Sequence, residues 1–336
     1  MTFDGPVTAE YLLAWGRHTH GSPLYQRLVA VTVASPELMA VIRRITNRPP
    51  SNVYFAAIQF LLMDDPEVEL AGFYPSITEQ PRPPSEVDAV FTRFVLANQE
   101  RIVGIANERL TQTNECRRCT ALMPAILTAP FDSFHLVDLG TSAGLNLAFD
   151  SYRYVFGDVN WGPTSPVVLE AEAKGDPPRV RPVAVGRRVG IDLNIVDPAQ
   201  SDDRRWLDAL IWPEQAERRH RLRNALELAA MVDMELIEAS FLEVLKDVLK
   251  RLPGSEPAVV MNSFSLIQLD PAQREQIAEV MEAARSRRPI HRVSLELIDK
   301  SDDWARLEVG RGAGMVQLGT AHPHGEWVDL RYQVLP

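Results

Sequence analysis

Residues 137–147 read Val137-Asp138-Leu139-Gly140-Thr141-Ser142-Ala143-Gly144-Leu145-Asn146-Leu147. An apolar run that begins at His135 ends on an acid, turns through a loop bracketed by two glycines, and restarts as an apolar helix. Glycine permits positive φ, and its missing side chain lets backbone approach a ligand closely. A strand, loop and helix in this order place a ligand across the carboxyl ends of parallel strands. Two nucleotide readings fail on spacing. A phosphate-cradling loop needs Lys and then Ser or Thr after its last glycine, and Leu145-Asn146 stands there. A dinucleotide fingerprint needs three glycines, and Ser142 and Leu145 occupy the second and third of those places.

A third pattern fits better: an acid two residues before the first glycine and a second glycine four residues beyond it. This is the pattern of S-adenosylmethionine-dependent methyltransferases, in which the loop backs the methionine part of the cofactor. The expected cofactor-binding residues on the loop are Asp138, Gly140, Thr141, Ser142 and Gly144. Further along, the run Arg188–Asn194 reads as a second strand ending in Asp192, whose carboxylate suits the two ribose hydroxyls. The plainer alternative is a strand-end Asp that caps a turn. A third strand over Met234–Ala239 leads to Ser240, where an acidic or polar residue usually meets the adenine amine.

The texture of the chain changes near residue 130. Before it, Tyr11, Leu12, Trp15, Leu24, Leu28 and Val31 recur at helical steps, Ser35 and Pro36 open a helix, Asn52–Met63 reads as a buried helix, and Ser85–Asn107 as one long helix or two shorter ones. After it, apolar runs at His135–Leu139, Arg187–Leu193, Met234–Ala239, Ala258–Asn262 and Arg292–Ile298 alternate with helical stretches, among them Leu145–Asp150 and Asp203–Met231. Met315–Thr320 and Trp327–Tyr332 flank a turn as a closing hairpin. The expected fold is therefore α/β: a Rossmann-like methyltransferase core with a mostly parallel seven-stranded sheet and an antiparallel C-terminal hairpin strand. An all-helical N-terminal domain covers 1–130, and the core covers 131–336 with an insertion at about 151–186.

Composition sets outer limits. The 336 residues carry 45 acids against 35 Lys and Arg, a net charge of −10, which argues against a bulk nucleic-acid binder and favours a small-molecule or protein substrate. No apolar run is long enough to cross a bilayer, and the first residues lack the order of a secretory signal, so a cytoplasmic setting without membrane association is expected. Oligomeric state stays open. The two cysteines, Cys116 and Cys119, form a lone pair that would need His18, His20, His322 or His324 to complete a zinc site; two reduced helical cysteines and no metal are the expectation.

Several stretches together resemble one bacterial family, domain of unknown function 2332: Thr113–Pro124 (TNECRRCTALMP), Asp138–Leu147, Tyr152–Tyr154, Gly190–Leu193 and Arg205–Pro213 (RWLDALIWP). The resemblance spans most of the chain and implies a helical N-terminal part followed by a methyltransferase-like core. The chain departs from it twice: Ser240 stands in place of the usual acidic residue, and Asn262 precedes Ser263 where the family more often has His-Ser.

Candidate chemistry gathers in three places. Asn114, Glu115 and Arg118 lie just ahead of the first strand, and a Glu and an Arg one turn apart can hold a ligand's charged ends, or form a surface ion pair. Tyr152, Arg153, Tyr154 and Trp161 of the insertion either line a substrate pocket or pack a β-hairpin. Trp206 and Trp212 follow Asp192 toward the expected adenine position, with core packing as the role of at least one. Asn262 and Ser263 follow the fourth strand, where substrate-facing groups belong, and their context is not the Asn-Pro-Pro-Tyr of base methylation. With Glu115 and Arg118 they are the catalytic candidates, and Asn114, Tyr152, Arg153, Tyr154 and Trp212 the substrate-binding ones. No general base stands out; His322 and His324 have suitable chemistry in an exposed turn. The expected function is methyl transfer from S-adenosylmethionine to a small molecule or protein side chain. The alternative is a catalytically degenerate binding or scaffold protein on the same fold, and a weaker third is another nucleotide-using enzyme.

Overall fold

The computed structural model describes residues 5–19, 21–298, 302–311 and 314–334. Its main sheet is built on the strand that leads into the glycine loop, β1 (Ser133–Leu139). An insertion follows with β2 (Arg153–Phe156), β3 (Val159–Trp161), β4 (Val168–Glu170) and β5 (Glu172–Gly175). Then come β6 (Ala184–Asp192), β7 (Glu235–Glu238), β8 (Ala258–Ser263), β9 (Ile290–Glu296), β10 (Ala305–Arg311), β11 (Gly314–Ala321) and β12 (Trp327–Leu330). In space the order is β5-β12-β11-β10-β9-β8-β1-β6-β7. The five strands from β9 to β7 are parallel, and the chain reverses its direction of travel between β1 and β8. In an open parallel sheet, that reversal leaves a crevice at the carboxyl ends of the two strands.

The sheet is thus α/β and mostly parallel on one side, with nine described strands where seven were expected. Two strands account for the difference. β10 makes the closure an antiparallel meander of β9, β10, β11 and β12, and β5 of the insertion adds itself in parallel to β12. The rest of the insertion is a separate small sheet, β3-β2-β4.

The helices are α1 (Ala9–His18), α2 (Pro23–Ala34), α3 (Pro36–Arg43), α4 (Pro50–Asp64), α5 (Asp88–Ala97), α6 (Gln99–Glu108), α7 (Cys119–Ile126), α8 (Ser201–Ala209), α9 (Ala216–Ala229), α10 (Phe241–Arg251) and α11 (Pro271–Ala284). Ser22 and Ser35 cap α2 and α3 through their hydroxyls, each ahead of a first-turn proline. The stretch 85–107 divides at Asn98, whose side chain donates to the Phe94 carbonyl at 2.9 Å and ends α5. Leu145–Ser151 is a 3₁₀ turn kinked at Ala148, not the α-helix expected there.

Compactness groups residues 1–113 with 200–223, and 114–199 with 224–336. The boundary expected near 130 falls at 113 because α7 is buried on all sides and packs on β9 and β10. The stretch 200–223 belongs with the N-terminal helices because α8 packs on α4. There the buried amide of Gln59 donates to the carbonyls of Ala209 and Ile211 at 2.7 and 2.8 Å. No described helix is long and apolar enough to cross a membrane.

Candidate functional site

The loop after β1 takes positive φ at Gly140 (+83°), Ser142 (+50°) and Gly144 (+73°). The turn after β8 does so at Phe264 (+58°). Among the described residues, Ser142 and Phe264 are the two non-glycine positions in this region, and they flank the same switch point. Such conformations cost about 1–3 kcal/mol each and persist where surrounding contacts enforce them. The glycines answer first to the protein itself. A Cβ on Gly140 would stand 2.4 Å from the Ser265 Cβ, and one on Gly144 would stand 2.5 Å from the Met234 sulfur.

The loop's amides are all engaged within the protein. Gly140 and Thr141 donate to the Ile191 carbonyl at 2.8 and 3.3 Å, and Gly144 to the Thr141 carbonyl at 2.9 Å. The Ser142 amide donates to Asp192 Oδ2 at 2.9 Å, and the Ala143 amide to Asn114 Oδ1 at 3.3 Å. Asn114 also donates from Nδ2 to the Ser142 hydroxyl at 3.0 Å, so one side chain grips the loop twice. A phosphate site at a strand–helix loop works by presenting unsatisfied amides. With these amides spent, the loop offers an anion no such cradle.

Asp138 contrasts with its surroundings. It is fully buried, and neither carboxyl oxygen has a hydrogen-bond partner of regular geometry. Burial pushes its carboxyl up to about 7; hydrogen bonding from the Thr141 and Asn146 side chains offsets part of that rise, and the negative Asp192 adds to it. Parallel register puts Asp138 beside Gly190 and Met261, so Asp138, Asp192 and Ser263 share one face of the sheet. The alternate residues Val137, Leu139, Ile191 and Val260 build the apolar core with α10 and α11 on the other face. Thr141 Oγ1, which faces the Asp138 carboxyl, and Ser263 Oγ are likewise buried without a regular hydrogen bond. Gly190 makes room for Thr141, since a Cβ there would lie 2.5 Å from its methyl group.

Asp192 accepts from the Ser142 amide through Oδ2 and from the Asn194 amide at 3.0 Å through Oδ1. Burial raises its pKa, and these amides oppose the rise. The Leu193 amide also meets this carboxylate, which leaves acceptor capacity for a ligand hydroxyl but not a free lone pair on every side. Ser240 is half-buried at the head of α10, and its hydroxyl makes no cap hydrogen bond.

Sequence reasoning missed Glu296. At the end of β9, its Oε1 accepts the amides of Ser265 and Leu266 at 3.0 Å each and the Asn262 side-chain amide at 2.7 Å; Oε2 accepts the Ile267 amide at 3.0 Å. This carboxylate organises the turn that holds the strained Phe264. An acid at the carboxyl end of the fifth strand was the signal available. Asn262 also donates to the Ser294 hydroxyl at 2.9 Å, which commits its amide to supporting the turn.

Glu115 and Arg118 are both buried and so are not a surface ion pair. Glu115 accepts the Arg117 amide at 3.1 Å, while Arg118 donates to the Pro323 carbonyl at 3.1 Å and lies 4.2 Å over the Phe264 ring. The structure thus brings Asn114, Asp138, Thr141, Ser142 and Asp192 together, and sets Arg118 against the turn that follows Ser263. It does not bring in the tyrosines of the insertion. Tyr152 and Tyr154 are fully buried, and their hydroxyls donate to the Leu145 and Phe149 carbonyls at 2.7 Å each, so they pack the insertion rather than line a pocket. Arg153 donates to the Gly162 carbonyl at 3.1 Å within that insertion. Trp212 and Trp206 belong to the helical unit: Trp212 packs edge-on to Trp15 at 6.4 Å, and the Trp206 indole donates to the Leu110 carbonyl at 2.9 Å.

Cys116 and Cys119 are buried and form no disulfide, and the described residues contain no group of three or more His, Cys, Asp or Glu arranged to hold a metal. His322 stands 4.0 Å from Glu326 in its turn, and His20 lies outside the described residues.

No curated protein matches this chain. A family match covers residues 10–330, nearly the whole sequence, and its description is an uncharacterized protein conserved in bacteria. The chain belongs to that bacterial family, DUF2332.

Proposed function

We propose that the carboxyl ends of β1, β6 and β8 bind S-adenosylmethionine, and that the protein transfers its methyl group to a small molecule or protein side chain. The observation that carries this reading is the fully buried carboxyl of Asp138, with no regular hydrogen bond to either oxygen, beside a loop whose amides are spent. A site of that composition receives a cation and rejects a phosphate. That weighs against a dinucleotide or nucleoside triphosphate and favours a nucleoside joined to an ammonium-bearing amino acid. Asp138 would hold the ammonium group, Asp192 the ribose hydroxyls through its remaining acceptor capacity, and Ser240 the edge of the base. The five parallel strands with their antiparallel closure agree with a methyltransferase core.

The cofactor supplies an electrophilic methyl group. The protein's contribution is then position: Asn114 and Asp192 hold the Gly140–Gly144 loop, and Glu296 holds the turn of Phe264. Holding the reacting groups in line can account for much of such a displacement. A second reading, a binding protein that kept the fold without the chemistry, has its own support. Asp192 already serves backbone amides, and Ser265 fills the space over Gly140.

Methyl-labelled S-adenosylmethionine incubated with the protein and bacterial extract separates the two. Label transferred to a metabolite or protein, and reduced about tenfold or more in Asp138→Asn, supports the enzyme. Cofactor binding without transfer to any fraction supports the second reading and overturns the first.

A further inference from the structure

A cavity of about 520 Å³ opens at the amino ends of β1, β8 and β9. It lies at the opposite edge of the sheet from the Gly140–Gly144 loop. β9 alone separates the two edges by about 20 Å at the usual rise per residue. Arg285, Ser286, Arg287, Arg288, Arg311 and Phe131 contribute to its wall, and none of its lining residues is acidic. In a chain of net charge −10, four guanidinium groups around one cavity are a local reversal of sign.

The four arginines differ in what already occupies them. Arg285 pairs with Glu282 at 3.1 Å at the end of α11, which is ordinary helix-end electrostatics. Arg288 is buried and held by carbonyls: Nη1 donates to Glu256 at 3.0 Å, and Nη2 to Leu252 at 2.8 Å and Gly254 at 3.0 Å. Its charge is therefore fixed in place without a carboxylate bonded to it. Arg287 and Arg311 are exposed, and neither has an ion pair among the described residues. Guanidinium forks match phosphate oxygens in pairs, and the volume is that of a small-molecule pocket. The half-buried ring of Phe131 supplies an apolar wall for an organic portion.

We infer that this cavity binds a small phosphate-bearing anion, with Arg287 and Arg311 as its mobile clamps and Arg288 as a fixed positive base. The site is independent of the methyl-transfer reading, which concerns the other edge of the sheet. The test is calorimetric titration of the full chain with inorganic diphosphate and with adenosine diphosphate, at low and at physiological salt. Both ligands should bind, more weakly as salt rises, and Arg287→Ala or Arg311→Ala should each weaken binding about tenfold. Asp138→Asn should leave the affinity unchanged. Equal affinities would assign recognition to the phosphates alone, whereas tighter adenosine diphosphate would add a contact to the nucleoside. Absence of binding to the folded chain at millimolar diphosphate would overturn the inference. So would binding that survives the double substitution Arg287→Ala and Arg311→Ala.

Discussion

Asp138→Asn is expected to stabilise the ligand-free protein by about 2–4 kcal/mol at pH 8 and to change it little near pH 4. The carboxyl is fully buried, and burial lifts its pKa to about 7. The folded state therefore holds this proton more tightly than the unfolded chain does. Stability from the protonated group is fully present below pH 4, where the unfolded aspartate titrates, and is lost as pH rises through 7. A displacement of that size corresponds to at most about 4 kcal/mol. Asparagine keeps the shape and never ionises, so it escapes the loss. Urea unfolding of both proteins from pH 4 to 8 reads the difference directly. A gap between the two that does not widen with pH would show that Asp138 titrates as an ordinary surface acid. Under the proposed function, such a stability cost at neutral pH would be offset when a cationic ligand binds.

Glu296→Ala should have the largest destabilising effect, about 3–5 kcal/mol, and should remove ligand binding at the switch point. The carboxylate receives three consecutive amides, those of Ser265, Leu266 and Ile267, and the side chain of Asn262. Alanine leaves the three backbone donors without an acceptor in a half-buried turn and the Asn262 amide with Ser294 alone, and the turn also carries Phe264 at positive φ. Glu296→Gln keeps one carbonyl acceptor and replaces the other oxygen with a donor that faces the Ile267 amide. Its loss should be smaller, about 1–3 kcal/mol. Thermal unfolding in parallel with cofactor titration separates the two effects. If Glu296→Ala melts like the wild type, the carboxylate does not organise the turn.

The parallel half of the sheet was legible because its strands are short, buried and mostly apolar runs, as in Phe134–Leu139, where His135 and Asp138 are the exceptions, and Ala258–Met261, where there are none. β10 was harder to see for the opposite reason. Ala305, Leu307 and Val309 are buried and Arg306 and Glu308 alternate with them, a two-residue period that continuous apolar runs do not reveal. The same period decides Asn262 and Ser263. As neighbours on one strand they face opposite sides: Asn262 with Ser294 and Glu296, Ser263 with the face of Asp138. Strand alternation alone would have separated them. The assignment of residues 200–223 to the helical unit had no local signal, because the Gln59 amide reaches carbonyls about 150 positions away. Tyr152 and Tyr154 misled in another way. Tyrosines around an arginine suit a pocket equally well as sequence, and only their bonds to the Leu145 and Phe149 carbonyls show that they pack the insertion.

Titration calorimetry with S-adenosylmethionine and S-adenosylhomocysteine, on the wild type and on Asp138→Asn, tests the central claim most directly. The expected result is binding of both ligands to the wild type, tighter as pH rises through about 7 and Asp138 ionises. In the variant, affinity should fall about tenfold or more and the pH dependence should disappear. No heat with either ligand at millimolar concentration, from protein shown to be folded, would contradict the claim, as would binding that Asp138→Asn leaves unchanged.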